Sequence, residues 1–146
     1  MIYTTDNFNY IIRLQKGETW SQGFADFASQ TGVKGAWLNM IGSATEVTLG
    51  AYNLEQKQYL WKTFTGTLEI VAVQGNISLD ESGKPMSHLH GTIANEHYQT
   101  FGGHIKDFTV GATLEVFVHC LDGHMALRRT LDQNTGLQLL DLPKGQ

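Results

Sequence analysis

Met86-Ser87-His88-Leu89-His90-Gly91-Thr92-Ile93-Ala94 decides how this 146-residue chain folds. Read as a β-strand, it sends Met86, His88, His90, Thr92 and Ala94 to one face and Ser87, Leu89, Gly91 and Ile93 to the other. Leu89 and Ile93 then face a core, while two imidazoles project from the opposite side. Their Cα atoms lie roughly 6.5–7 Å apart, twice the rise per strand residue. Two rings leaning inward from that distance can share one metal ion at about 2.0–2.1 Å per bond. Further along stands Gly102-Gly103-His104, where a diglycine lets the backbone bend freely and brings a third imidazole to the pair. Three histidines and an open position make a metal centre of the catalytic type. The plainer alternative for an isolated His-x-His is a polar solvent face.

Working outward, Asn9 to Gln15 reads as a first strand, and Lys16-Gly17 turns the chain into a helix over about 18–31. Trp20, Phe24, Phe27 and Ala28 share one helical face as core packing, Glu18 suits the positive end of the helix dipole, and Gly32 ends the helix. Strand-like runs follow at Val33 to Gly42, Thr45 to Asn53, Gln58 to Phe64 and Thr67 to Leu79. Glu81-Ser82-Gly83-Lys84-Pro85 marks the turn into the histidine strand. Val110 to Cys120 alternates strictly, and a last strand over Met125 to Leu131 follows an Asp122-Gly123 turn. One helix among many turn-linked strands predicts an α+β domain with a curved antiparallel or mixed sheet. It spans residues 1–142, and 143–146 form a short tail.

The chain has the length of one domain. Its formal net charge is −4 at pH 7, with ten Lys and Arg residues and no basic run longer than Arg128-Arg129. Duplex nucleic acid is held largely by phosphate neutralisation, so this balance argues against nucleic acid as a partner. The single cysteine, Cys120, excludes an intrachain disulfide and sits in a strand pattern that buries it. No signal-peptide pattern and no apolar span of membrane length stand in the sequence, so no membrane partner is expected and cytoplasm is the expected location.

Several short segments, in order, resemble a known family. They are Tyr10-Ile11-Ile12-Arg13-Leu14-Gln15-Lys16-Gly17-Glu18, Ala36-Trp37-Leu38-Asn39-Met40-Ile41-Gly42-Ser43, Leu68-Glu69-Ile70 and Gly75-Asn76-Ile77-Ser78. Gly83-Lys84-Pro85, His88-Leu89-His90, Gly102-Gly103-His104-Ile105 and Ala112-Thr113-Leu114-Glu115-Val116 complete the set. Together they resemble the plant-and-prokaryote-conserved (PPC) domain. The resemblance implies a homotrimer with sites near subunit boundaries. It implies that His88, His90 and His104 correspond to histidines that coordinate a metal, usually zinc, in prokaryotic members. It also implies distant structural kinship with acetolactate decarboxylases, which are zinc enzymes. Plant members carry arginine-glycine-arginine-proline AT-hooks for the DNA minor groove, a segment this sequence lacks.

A zinc ion, or another divalent transition metal, held by three neutral imidazoles can activate water or polarise a carbonyl. Catalysis would also need an acid or base in reach. Glu69, Glu115, Arg13 and Asn39 are the candidates for catalysis or for support of the ligands, with Ser43 and Asn76 as further polar partners. Solvent-face carboxylates or structural ion pairs are the ordinary alternative for the two glutamates. His97, His119 and His124 are weaker candidates for a fourth ligand. Three functions follow: a trimeric metal-binding module with a small ligand at the open position, a zinc-dependent enzyme acting on a small carbonyl or carboxylate compound, and a DNA-associated regulator.

Overall fold

The structure, a computed structural model, describes residues 1–121 and 125–143. Its strands are β1 (Ile2–Thr5), β2 (Asn9–Gln15), β3 (Ala36–Asn53), β4 (Gln58–Leu79), β5 (Pro85–Asn95), β6 (Thr100–Cys120), β7 (Arg129–Leu131) and β8 (Gln138–Leu140); the helix is α1 (Trp20–Thr31). The expected α+β balance therefore gives way to a mostly-β molecule with one short helix. The helix begins two residues later than expected. Thr19 is its N-cap, accepting from the Gln22 amide, and Gly32 closes it at φ 66, a left-handed conformation that suits glycine. Glu18 lies before the cap, and its carboxylate accepts from the Gln15 amide instead of facing the helix dipole.

All pairings in the main sheet are antiparallel, in the order β1-β2-β6-β3-β4-β5, and β5 also pairs with β6. That last pairing closes β3, β4, β5 and β6 into a ring. The long β6 makes this possible by dividing one of its edges. Residues Thr100 to His104 pair with β5 and Thr113 to His119 pair with β2. Between them the edge is covered by the approach to α1, where the Gly17 amide donates to the Val110 carbonyl and the Val110 amide to the Glu18 carbonyl. Ser21 adds a hydroxyl bond of 2.7 Å to Asp107.

Strands read as separate in the sequence are continuous. Val33–Gly42 and Thr45–Asn53 merge into β3, and Gln58–Phe64 and Thr67–Leu79 merge into β4. Glycine and its small neighbours looked like turns; instead they form bulges. The register shifts between Ala44 and Glu46, opposite Gly66 at φ 115, and such a bulge bends a strand without ending it. The last strand is shorter than the expected 125–131, with only Arg129–Leu131 paired, to β8. Asp122-Gly123, His124 and residues 144–146 lie outside the described residues.

Inside the ring, Leu38, Ile77, Leu89, Ile93, Leu114 and Val118 are fully buried, and Phe27 and Leu14 join them beneath α1. Burial of Leu89 and Ile93 stabilises by roughly 1.5–3 kcal/mol each, so a one-residue slip of β5 is strongly disfavoured. Nothing helical among the described residues is long and apolar enough to cross a membrane.

Strand β4 approaches β5 so closely at Gly75 that an added Cβ would stand 2.0 Å from the His88 carbonyl oxygen. Gly75→Ala is expected to lower unfolding free energy by about 1–3 kcal/mol, read from the urea midpoint. An unchanged midpoint would contradict this packing.

Candidate metal centre

The phase that buries Leu89 and Ile93 turns His88 and His90 outward together. His104 arrives by strand pairing: it sits directly opposite His90, with Gly91 opposite Gly103 and Thr92 opposite Gly102. The diglycine is therefore no bend. It keeps a straight path in β6, and it is small because the neighbouring backbone is close; a Cβ on Gly103 would lie 2.8 Å from the Gly50 carbonyl oxygen.

The three imidazoles converge. Ring centroids are 5.1 Å apart for His88–His90, 5.1 Å for His88–His104 and 5.3 Å for His90–His104. One nitrogen from each lies within 4.8 Å of the other two. Tetrahedral bonds of about 2.0–2.1 Å would place ligand atoms roughly 3.3–3.4 Å apart, a gap that small side-chain rotations close. Nδ1 of His104 is buried without a hydrogen-bond partner, and an orphaned buried nitrogen is costly. These residues fit a metal ion, which would draw on the nitrogen lone pairs.

Aromatic rings wall the site. Tyr59 lies 4.8 Å from the His104 ring and stacks on Trp61 at 4.6 Å. Gly50, paired with both His104 and Trp61, leaves room for these rings; a Cβ there would be 2.5 Å from the indole. Burial raises the Tyr59 phenol above its ordinary value, with Tyr52 adding to the effect, so it stays a proton donor at neutral pH.

Arg129 packs against His88. It is buried, with Nε donating to Ser78 Oγ at 2.9 Å and Nη1 to the Gln138 carbonyl at 2.8 Å. Nη2 donates to Asn76 Oδ1 at 2.9 Å and meets His88 Nδ1 at 3.1 Å. A guanidinium only donates, so His88 Nδ1 is the accepting, unprotonated nitrogen. Desolvation first, then the Arg129 charge, then His90, pushes His88 down to about 4. Desolvation with His88, His90 and Arg129 pushes His104 down to about 4 as well. Both rings are thus neutral at pH 7, the state a ligand needs.

The other candidates fall elsewhere. Arg13, Asn39, Glu69 and Glu115 are exposed, and for the two glutamates the solvent-face alternative holds because their alternation phase points outward. Asn39 and Glu115 share a cleft of about 670 Å³ with His90, Gln74 and Phe117. Glu69 and Glu115 flank Ile41 in a second hollow, and Arg13 stands opposite Glu115 in the β2–β6 register. Ser43 binds the Ala112 amide. Asn76 supports the site at one remove, through Arg129. His119 contacts Asn9 at the far end of β6, and His97 is exposed beside Glu96. Cys120 is half-buried rather than buried, and burial raises its thiol, which keeps it unreactive.

Sequence reasoning missed Arg129 and Tyr59. Tyr59-Leu60-Trp61 carried a signal, two aromatics on one strand face, while no local pattern marks Arg129.

A model of the Plants and Prokaryotes Conserved (PCC) domain matches residues 1–122. The chain belongs to the PCC domain family. Among solved structures, a candidate DNA-binding protein of Bacteroides thetaiotaomicron is 26% identical, with 96% of each chain covered and a TM-score of 0.89. A metal-containing protein of Archaeoglobus fulgidus is 28% identical over 97% of this chain and 99% of its own, with a TM-score of 0.84. Acetolactate decarboxylase of Bacillus subtilis subspecies spizizenii shares the fold at 15% identity and a TM-score of 0.53, over 82% of this chain and 54% of the enzyme. No curated protein matches the sequence. The PCC match ends before Arg129, so the segment that closes the site lies beyond the matched residues.

The depressed values fix a pH window for the metal-free protein. Unfolding returns both rings to the ordinary value of about 6.5, so the unfolded state binds more protons between there and 4. The stabilisation from keeping these rings neutral is complete above 6.5 and is lost as pH falls toward 4. In an NMR titration, His88 and His104 are expected to protonate near pH 4. Midpoints near the ordinary imidazole value would contradict this environment.

Proposed function

We propose that this chain is a homotrimeric metal-binding protein in which His88, His90 and His104 hold one divalent transition metal ion, zinc first among them, and leave a position open to a small ligand. The convergence of one nitrogen from each of three rings within 4.8 Å carries the reading. The neutral state of His88 and His104 and the unpartnered nitrogen of His104 support it, as does the metal-containing relative. Zinc accepts three imidazoles and keeps a fourth position for water or a ligand.

Assembly is supported by an exposed apolar surface. Ile11, Ile41 and Phe117 line the cleft beside His90, with Trp37 exposed on β3 and Val71 on β4. Such a patch on a small protein is a mark of an interaction surface. A neighbouring copy seated there would wall the open position.

A second reading, reaction of a small carbonyl or carboxylate compound at the ion, draws on Tyr59, whose protonated phenol is a proton donor beside His104. Association with DNA takes support from the name of the Bacteroides relative, and the net charge of −4 opposes it.

Protein purified without an affinity tag should contain about one metal ion per chain, as expected of one three-histidine site. His88→Ala and His104→Ala should each abolish stoichiometric binding; equal metal content in wild type and both variants would end the assignment. Sedimentation should give a trimer, and Phe117→Lys should dissociate it. A monomeric wild type would remove the assembly part of the proposal.

A further inference from the structure

Arg129 is a buried cation whose partners are all neutral: a hydroxyl, a main-chain carbonyl, an amide oxygen and an imidazole nitrogen. Among the described residues, no carboxylate forms an ion pair with it. An arginine taken out of water usually has an anion beside it, because desolvation is otherwise poorly compensated.

We propose that in the metal-loaded protein Arg129 and the ion form a two-point receptor for a small carboxylate. This deepens the metal-binding reading and rests on it.

A neutral imidazole has a single lone-pair nitrogen, and Arg129 already occupies that of His88 at 3.1 Å. Ligation through Nδ1 would displace the guanidinium N–H directly. Ligation through Nε2 would move the ring proton to Nδ1, where it would meet that N–H donor to donor. The Arg129 bond and metal ligation by His88 therefore exclude each other. Loading the site releases one Nη2 N–H, still buried and now without an acceptor, beside the ring that holds the ion.

Charge points the same way. Three neutral rings leave the positive charge of a divalent ion intact, and the guanidinium adds to it. Burial first, then neighbouring imidazoles, Arg129 and Tyr59 perturb His88, His104 and Arg129, with no carboxylate among the causes. Among the described residues, no carboxylate pairs with Arg129 or shifts His88 and His104. A carboxylate has two oxygens in one plane: one takes the open metal position, and the other accepts from Arg129 in the geometry that guanidinium favours. Tyr59 lies beside the His104 ring of the same cluster.

The test uses full-length protein loaded with cobalt(II), whose visible spectrum reports both loading and a change of its ligands. Propionate is the probe, with isosteric propionamide and inorganic phosphate as comparisons. The cobalt content of wild type, Arg129→Gln and Arg129→Lys is measured first, and propionate is titrated into cobalt-loaded protein of each. Propionate should change the wild-type spectrum and bind at least about 10-fold more weakly to Arg129→Gln, the loss of one charge-assisted contact. Arg129→Lys should fall between, and propionamide should have no effect. If Arg129→Gln does not fold, the lysine variant carries the comparison, because it keeps the charge and loses the planar fork. Equal propionate affinity in wild type and variant, or phosphate binding tighter than propionate, would overturn the proposal while leaving the metal site intact. Failure of the wild type to load cobalt would overturn both.

Discussion

Burial of Leu89 and Ile93 sets the phase of β5, and the site depends on that phase. Both residues are completely enclosed in the ring of strands, and moving β5 by one residue would expose them and carry His88 and His90 inward. The sheet then delivers the third ring without further instruction, because His90 pairs with His104 across the β5–β6 ladder. That ladder exists because β6 splits its edge between β2 and β5, and glycines at 91, 102 and 103 let the backbones approach. The imidazoles are preorganised by hydrophobic burial on the opposite side of a single strand.

The surroundings of the cluster are cationic and aromatic. Tyr59 and Trp61 press against His104, and Arg129 reaches in through a short hairpin that Tyr52 and Lys57 tether by bonds to the carbonyls of Thr135 and Gln133. Burial with a nearby guanidinium keeps His88 and His104 neutral. Neutral rings suit a metal cation bound through lone pairs, while the guanidinium opposes its charge and calls for an anion to balance both. Glu69 and Glu115 are exposed, and Glu115 meets the site only through the cleft it shares with His90.

The histidine strand, the helix with its Thr19 and Gly32 ends, and the triad itself were legible in the sequence because each rests on short-range periodicity or local chemistry. Alternation alone separated Leu89 from His90, and Gly32 announced a left-handed cap. What was hidden depended on long-range pairing. Gly66 reads as a turn until a partner strand makes it a bulge, and Gly102-Gly103 reads as a bend until β5 and β3 are seen to flank it. The strand read over Val110 to Cys120 begins ten residues earlier, at Thr100, where pairing with β5 and β3 extends it. Arg129 was invisible because its role comes from a segment that folds back on β4 and β5; its side chain meets Asn76 and His88 across 53 and 41 residues.

Anomalous diffraction at the zinc absorption edge, from crystals of protein purified without a tag and supplied with zinc, tests the central claim most directly. The account predicts one anomalous peak per chain, bonded at about 2.0–2.1 Å to one nitrogen each of His88, His90 and His104, with a further position facing away from the core. A peak bound by other residues, or fully occupied zinc-soaked crystals showing those three rings turned apart, would contradict it.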